Sequence, residues 1–85
     1  MESWITFIGL LAAFCTTIAL LPQVIKILRT KETRDISLGM YLLMIAGIVL
    51  WIVYGMYLND LPIVAANGAT LALAAMVLYY KIKYG

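Results

Sequence analysis

Residues 20–37 read LLPQVIKILRTKETRDIS, and two changes of character inside this stretch decide the fold. An apolar run carries a Pro22–Gln23 pair near its end. It then gives way to six charged residues within ten positions, Lys26, Arg29, Lys31, Glu32, Arg34 and Asp35. Everything upstream is apolar, and so is nearly everything downstream. The stretch reads as the end of one membrane helix followed by a polar loop.

Working outward, the spacing of charges fixes the number of helices. Residues 3–25, 36–59 and 61–80 carry no charge, in runs of 23, 24 and 20 residues. About 20 apolar residues cross the hydrocarbon core as a helix, so three spans fit. They are expected at about residues 4–28, 38–58 and 61–80. The 85 residues are 66% hydrophobic with a mean hydropathy of +1.05, where a soluble domain is roughly half apolar. The expected fold is an all-α membrane protein, a single three-helix unit over residues 1–85 with no separate soluble domain.

Orientation follows from the cations. Lys26, Arg29, Lys31, Arg34, Lys81 and Lys83 all lie in the first loop or at the C-terminus, which three spans place on one side. Only Glu2 and Asp60 lie on the other. The positive-inside rule puts the first loop and C-terminus in the cytoplasm and the N-terminus outside. Cations flanking apolar spans are a topology signal, so no nucleic-acid partner is expected. The N-terminus lacks the basic start of a signal peptide, and its apolar run is too long for one. A single Cys15 within a span and no histidine offer neither disulfide framework nor metal cluster. Cys15 reads as a small packing residue.

Along the first span, Trp4 and Phe7 suit an outer aromatic belt, and Gly9 and Ala13 form a small face for close helix approach. The hydroxyls of Thr16 and Thr17 can bond back to the preceding turn. Pro22 lacks an N–H, so the Ile18 carbonyl loses its helical partner. Pro22 is therefore either a fixed kink or a hinge, and Gln23 beside it can reach the headgroups. Asp35 or Ser37 can cap the second helix. In that helix Met40, Met44, Gly47, Trp51, Tyr54, Gly55 and Leu58 recur at three- and four-residue spacing and share one stripe. In the outer turn, Asp60 can cap the third helix, with Pro62 in its first turn. The third span is rich in alanine and glycine, which suits a central, closely packed helix. Tyr79, Tyr80, Lys81 and Lys83 form its inner anchor.

No span contains an ionisable residue in its interior. Ion-coupled carriers ordinarily place one there, so a neutral solute moving down its gradient is the better expectation. Asn67 is the one amide well inside the membrane. It is either interhelical glue or a ligand group. Counting from Asn59 in the outer turn, Trp51 lies eight residues back and Asn67 eight forward, so both sit about 12 Å from the turn. An indole and an amide at one depth suit a polyol, the ring packing on C–H groups and the amide exchanging hydrogen bonds. Three helices cannot surround a solute by themselves. A pocket implies a second copy inserted the same way, hence a parallel two-fold dimer.

The ordered set Leu21-Pro22-Gln23, KETRDIS ending at Ser37, Trp51-Ile52-Val53-Tyr54-Gly55, Leu61-Pro62 and Ala66-Asn67 spans nearly the whole chain. It resembles the bacterial SemiSWEET sugar transporters, three-helix relatives of SWEETs in the PQ-loop superfamily. The resemblance implies a triple-helix bundle with the third helix between the first two, paired as a parallel homodimer in the bacterial inner membrane. It implies a sugar of the glucose or sucrose class as substrate, held by Trp51 and Asn67. Pro22 with Gln23 becomes the hinge of alternating access. Tyr54 and Asp60 fall at the outer gate, and Met40 and Met44 are inner-gate candidates by depth. Some relatives carry an arginine near the outer gate, but Gly55–Asn59 holds no cation, so a Tyr–Asp hydrogen bond replaces an ionic latch. The expected activity is facilitative uniport, with neither catalysis nor cofactor. The alternatives are a PQ-loop carrier of another small solute such as an amino acid, and a structural or accessory membrane protein.

Overall fold

A computed structural model describes residues 3–85, so Glu2 lies outside the described residues. Three helices account for almost all of them: α1 (Ser3–Thr30), α2 (Leu38–Leu58) and α3 (Leu61–Tyr84). Each is long and apolar enough to cross a membrane. α1 stays helical through Pro22 and ends two residues beyond the expected Leu28. There the Thr30 hydroxyl donates to the Lys26 carbonyl at 2.8 Å. Lys31 then turns into the left-handed region at φ 57°, its N–H bonding the Ile27 carbonyl at 2.8 Å, which closes the helix as a glycine normally would. α3 likewise runs past Tyr80 to Tyr84 and stops at Gly85. The charges from Lys81 onward mark where the apolar span ends; the helix itself continues because nothing before Gly85 breaks it.

The α2–α3 turn is built from its own short sequence. Asn59 is left-handed (φ 54°, ψ 41°). Its N–H bonds the Met56 carbonyl at 3.2 Å, and the Asp60 N–H bonds that of Gly55 at 2.9 Å, the paired arrangement that closes a helix in the fewest residues. Asp60 Oδ1 then accepts from the Ile63 N–H at 3.3 Å, and Pro62 occupies the first turn, where a missing N–H leaves no bond unmade. At the other end of α2, Ser37 accepts from the Met40 N–H at 3.3 Å. Of the two candidate caps, Ser37 makes the bond.

α3 packs against both α1 and α2, while α1 and α2 do not pack on each other. Two glycines set the approach. A Cβ on Gly9 would lie 2.6 Å from Pro62 Cβ, and one on Gly55 would lie 2.8 Å from Ile63 Cγ2. The Cα envelope measures 45 × 23 × 13 Å, the outline of a layer with α3 in the middle. Among the described residues the buried hydrophobic core is only Ala13, Val24, Ile48, Ala74 and Val77. Most of the apolar surface therefore faces outward, where lipid or another subunit can cover it. Cys15 is exposed on this surface, so within one protomer it is not the packing residue its size suggested.

One polar link ties the C-terminal end of α3 to the α1–α2 loop across the fold. Lys81 Nζ donates to the Thr33 carbonyl at 3.0 Å and to the Gly85 carbonyl at 3.1 Å. The Thr33 carbonyl also closes the loop turn by accepting from the Ile36 N–H at 3.1 Å. Lys31 lies over the Tyr84 ring, 5.3 Å from its centroid, so the loop and the end of α3 are joined at two points.

Candidate functional site

Because α1 and α2 flank α3 without meeting, a groove runs over α3 between them. Its volume is about 410 Å³, within the roughly 300–1,000 Å³ of small-molecule sites. α1 contributes Gly9, Ala12, Ala13 and Thr16, α2 contributes Trp51, and α3 contributes Pro62, Ile63, Ala66 and Asn67. Small residues form most of this wall, which keeps the groove open. None of its residues is charged.

The structure brings Trp51 and Asn67 onto this one groove. The tight Asn59–Asp60 turn makes α2 and α3 antiparallel and sets the two residues at equal distances from it. Asn67 Nδ2 donates to the Ile63 carbonyl of its own helix at 2.9 Å. Its partner is therefore intrahelical, which removes the interhelical-glue reading within a protomer. The second N–H and Oδ1 remain for a ligand. Trp51 is 54% exposed and also borders a second concavity of about 330 Å³ with Gly47, Leu50 and Tyr54. The Tyr54 ring meets it edge-on, centroids 5.5 Å apart at 87°, a favourable aromatic arrangement.

The supposed single stripe of α2 divides. Gly47, Trp51 and Tyr54 border one open concavity, while Gly55 is buried against Ile63 and Val64 of α3. Tyr54 and Asp60 are not joined: among the described residues no hydrogen bond links them, Tyr54 rests on Trp51, and Asp60 caps α3. Asp60 borders a different concavity, with Gly55, Met56, Asn59, Leu61 and Val64. Pro22 lines a hollow at the loop end of α1 with Ile25, Lys26, Arg29 and Thr30. Gln23 lines another with Lys26, Ile27, Thr30, Glu32 and Asp35. Among the described residues no side chain donates to the Ile18 carbonyl, for which Pro22 has no N–H to offer. Met40 and Met44 are both exposed, Met40 at 71%, and neither touches the Trp51–Asn67 groove.

Thr16 was not singled out as a site residue, although it ends the small-residue run of α1 with a hydroxyl. Nor was the Lys81–Thr33 link anticipated. Its partners lie 48 residues apart, and no local pattern signals such a contact.

Three membrane-crossing helices with the third in the middle, and an uncharged groove left between the outer two, define a small membrane-embedded half-bundle. The chain belongs to the PQ-loop family, within its SemiSWEET group: the family model for the PQ loop repeat matches residues 4–64. It is 51% identical over 78 residues to the sugar transporter SemiSWEET of Leptospira biflexa, covering 92% of each chain. It is 49% identical over 81 residues to that of Bradyrhizobium diazoefficiens, covering 95% of this chain and 94% of the other. Its fold is similar to the crystal structure of SemiSWEET in the inward-open conformation, with a TM-score of 0.91 at 43% identity over 96% of this chain and 88% of that one. A crystal structure of a bacterial homologue of SWEET transporters matches with a TM-score of 0.85 at 42% identity, covering 94% and 96%.

Proposed function

We propose that this protein is a facilitative sugar carrier, moving mono- or disaccharides of the glucose or sucrose class by alternating access in a parallel homodimer. The observation that carries the reading is the uncharged groove lined by both the Trp51 indole and the Asn67 amide. An aromatic face packs on sugar C–H groups, and a primary amide both donates to and accepts from hydroxyls. The absence of any ionisable lining residue favours a neutral solute without ion coupling. Relatives at about half identity are named sugar transporters, which supports the same substrate class.

One protomer presents the groove on an open face, so a second copy, related by a two-fold axis along the membrane normal, closes the pathway. Tyr54 and Asp60 are proposed to meet across that dimer at the outer gate, since they do not meet within a chain. Met40 and Met44 line the inner side. Pro22, with Gln23 beside it, bends α1 to open the cytoplasmic end, because the unpaired Ile18 carbonyl removes one rung of helical stiffness there. The cation distribution supports an N-terminus in the periplasm and a C-terminus in the cytoplasm of a bacterial inner membrane.

Substitution in liposomes tests the site. Asn67→Ala and Trp51→Ala should each abolish exchange of labelled sugar while the dimer persists in detergent. Loss of the dimer together with loss of exchange in both variants would assign these residues to assembly and contradict the reading.

A further inference from the structure

We infer that Thr16 is the third polar wall of the substrate groove, its hydroxyl oxygen accepting a hydrogen bond from a sugar hydroxyl. The inference rests on the reading of the groove as the sugar site. Each helix gives the groove one residue able to engage a polyol: Thr16 from α1, Trp51 from α2 and Asn67 from α3. The remaining lining is alanine, glycine, proline and isoleucine, with no side-chain polar atom. Thr16 therefore holds the one side-chain polar group on the α1 side.

Its protonation geometry sets what it can recognise. The Thr16 hydroxyl donates its single proton to the Ala13 carbonyl of its own helix at 3.1 Å. A hydroxyl committed in this way presents its oxygen lone pairs outward, as an acceptor. Asn67 has one N–H committed to Ile63 and keeps one donor and one acceptor. The groove thus asks for a ligand that donates toward α1 and both donates and accepts toward α3. Vicinal hydroxyls on a pyranose meet that demand; a ligand carrying only acceptors toward α1 does not. Depth agrees as well. Gly9 faces Pro62 across the α1–α3 contact. Thr16 lies seven residues inward from Gly9 and Asn67 five from Pro62, a difference of about 3 Å at 1.5 Å per residue.

The test uses the full chain in liposomes, with glucose and sucrose as probes and the concentration for half-maximal exchange as the readout. Thr16→Val removes the hydroxyl at nearly constant shape and should raise that concentration about three- to tenfold, the range of one neutral hydrogen bond. Thr16→Ser should restore it. A set of deoxyfluoro glucoses, which cannot donate at the altered carbon, should show one position whose penalty disappears in Thr16→Val. Placement is checked separately in a Cys15→Ser background. Thr16→Cys there should react with a polar methanethiosulfonate reagent and be protected by saturating sugar. Absence of sugar protection, or unchanged half-saturation in Thr16→Val while Asn67→Ala is inactive, overturns the role of Thr16 and leaves the sugar site standing. Unchanged exchange in Thr16→Val, Asn67→Ala and Trp51→Ala alike would overturn the site itself.

Discussion

Asp60 shows how one side chain can hold two duties that a single substitution confuses. Its carboxylate caps α3 through the Ile63 N–H, and the proposed outer gate uses the same group. Asp60→Ala should lower stability by about 1 kcal/mol, the usual loss for a missing N-cap, whatever happens at the gate. Asp60→Asn keeps a capping oxygen, so its melting temperature in detergent should stay near wild type, and any change in its exchange rate then reports on gating alone. Much at this scale was legible beforehand. The equal count from Asn59 placed Trp51 and Asn67 at one depth, because the helical rise is fixed. Side-chain rotation was not legible to the same degree. Tyr54 and Gly55 sit on either side of Trp51 around α2, about 100° apart, wide enough for one to face the open concavity and the other α3. The Asn67 partner also escaped the sequence, since an amide on a helix can reach either a neighbouring helix or its own i−4 carbonyl.

For the helices, α1 is the informative case. Its N-terminal half is pinned on α3 by Gly9 against the Pro62 ring, and a methyl there meets two ring carbons at 2.6 and 2.7 Å. A proline ring cannot swing aside, so Gly9→Ala should destabilise by about 1–3 kcal/mol, as overpacking does. Gly68→Ala, with nothing within 4 Å of the added carbon, should be neutral or slightly stabilising when both are unfolded in the same detergent. The C-terminal half of α1 contains Pro22 and is held to α3 through the loop by Lys81 on the Thr33 carbonyl. Thr33 itself is only 2% exposed, so the clamp bears on a seated residue. Lys81→Met should lower the melting temperature by the equivalent of roughly 1–2 kcal/mol, the scale of a charge-assisted hydrogen bond. Pro22→Ala restores the bond to Ile18 and should slow exchange while leaving sugar binding intact; unchanged exchange would mark Pro22 as a fixed kink. The helix cores were readable from charge-free runs, but the C-terminal ends of α1 and α3 were not. Charge marks the water boundary, whereas Thr30 with Lys31 and then Gly85 decide where the backbone stops.

Taken as a whole, the molecule is a layer of three helices that buries little of itself. An open face carries an uncharged groove, and the apolar remainder suits lipid or a second copy. Three-helix architecture followed directly from the sequence, because backbone polar groups in a bilayer must be satisfied within each helix and only three runs are long enough. The central place of α3 was implied by its alanines and by family resemblance, and is fixed in the structure by contacts on both its sides. Purified protein in liposomes gives the most direct test of sugar uniport. Labelled glucose or sucrose should equilibrate across the membrane in the absence of any pH or sodium gradient, and an imposed gradient should not concentrate it. Uptake that requires either gradient, or accumulation driven by one, would contradict the account.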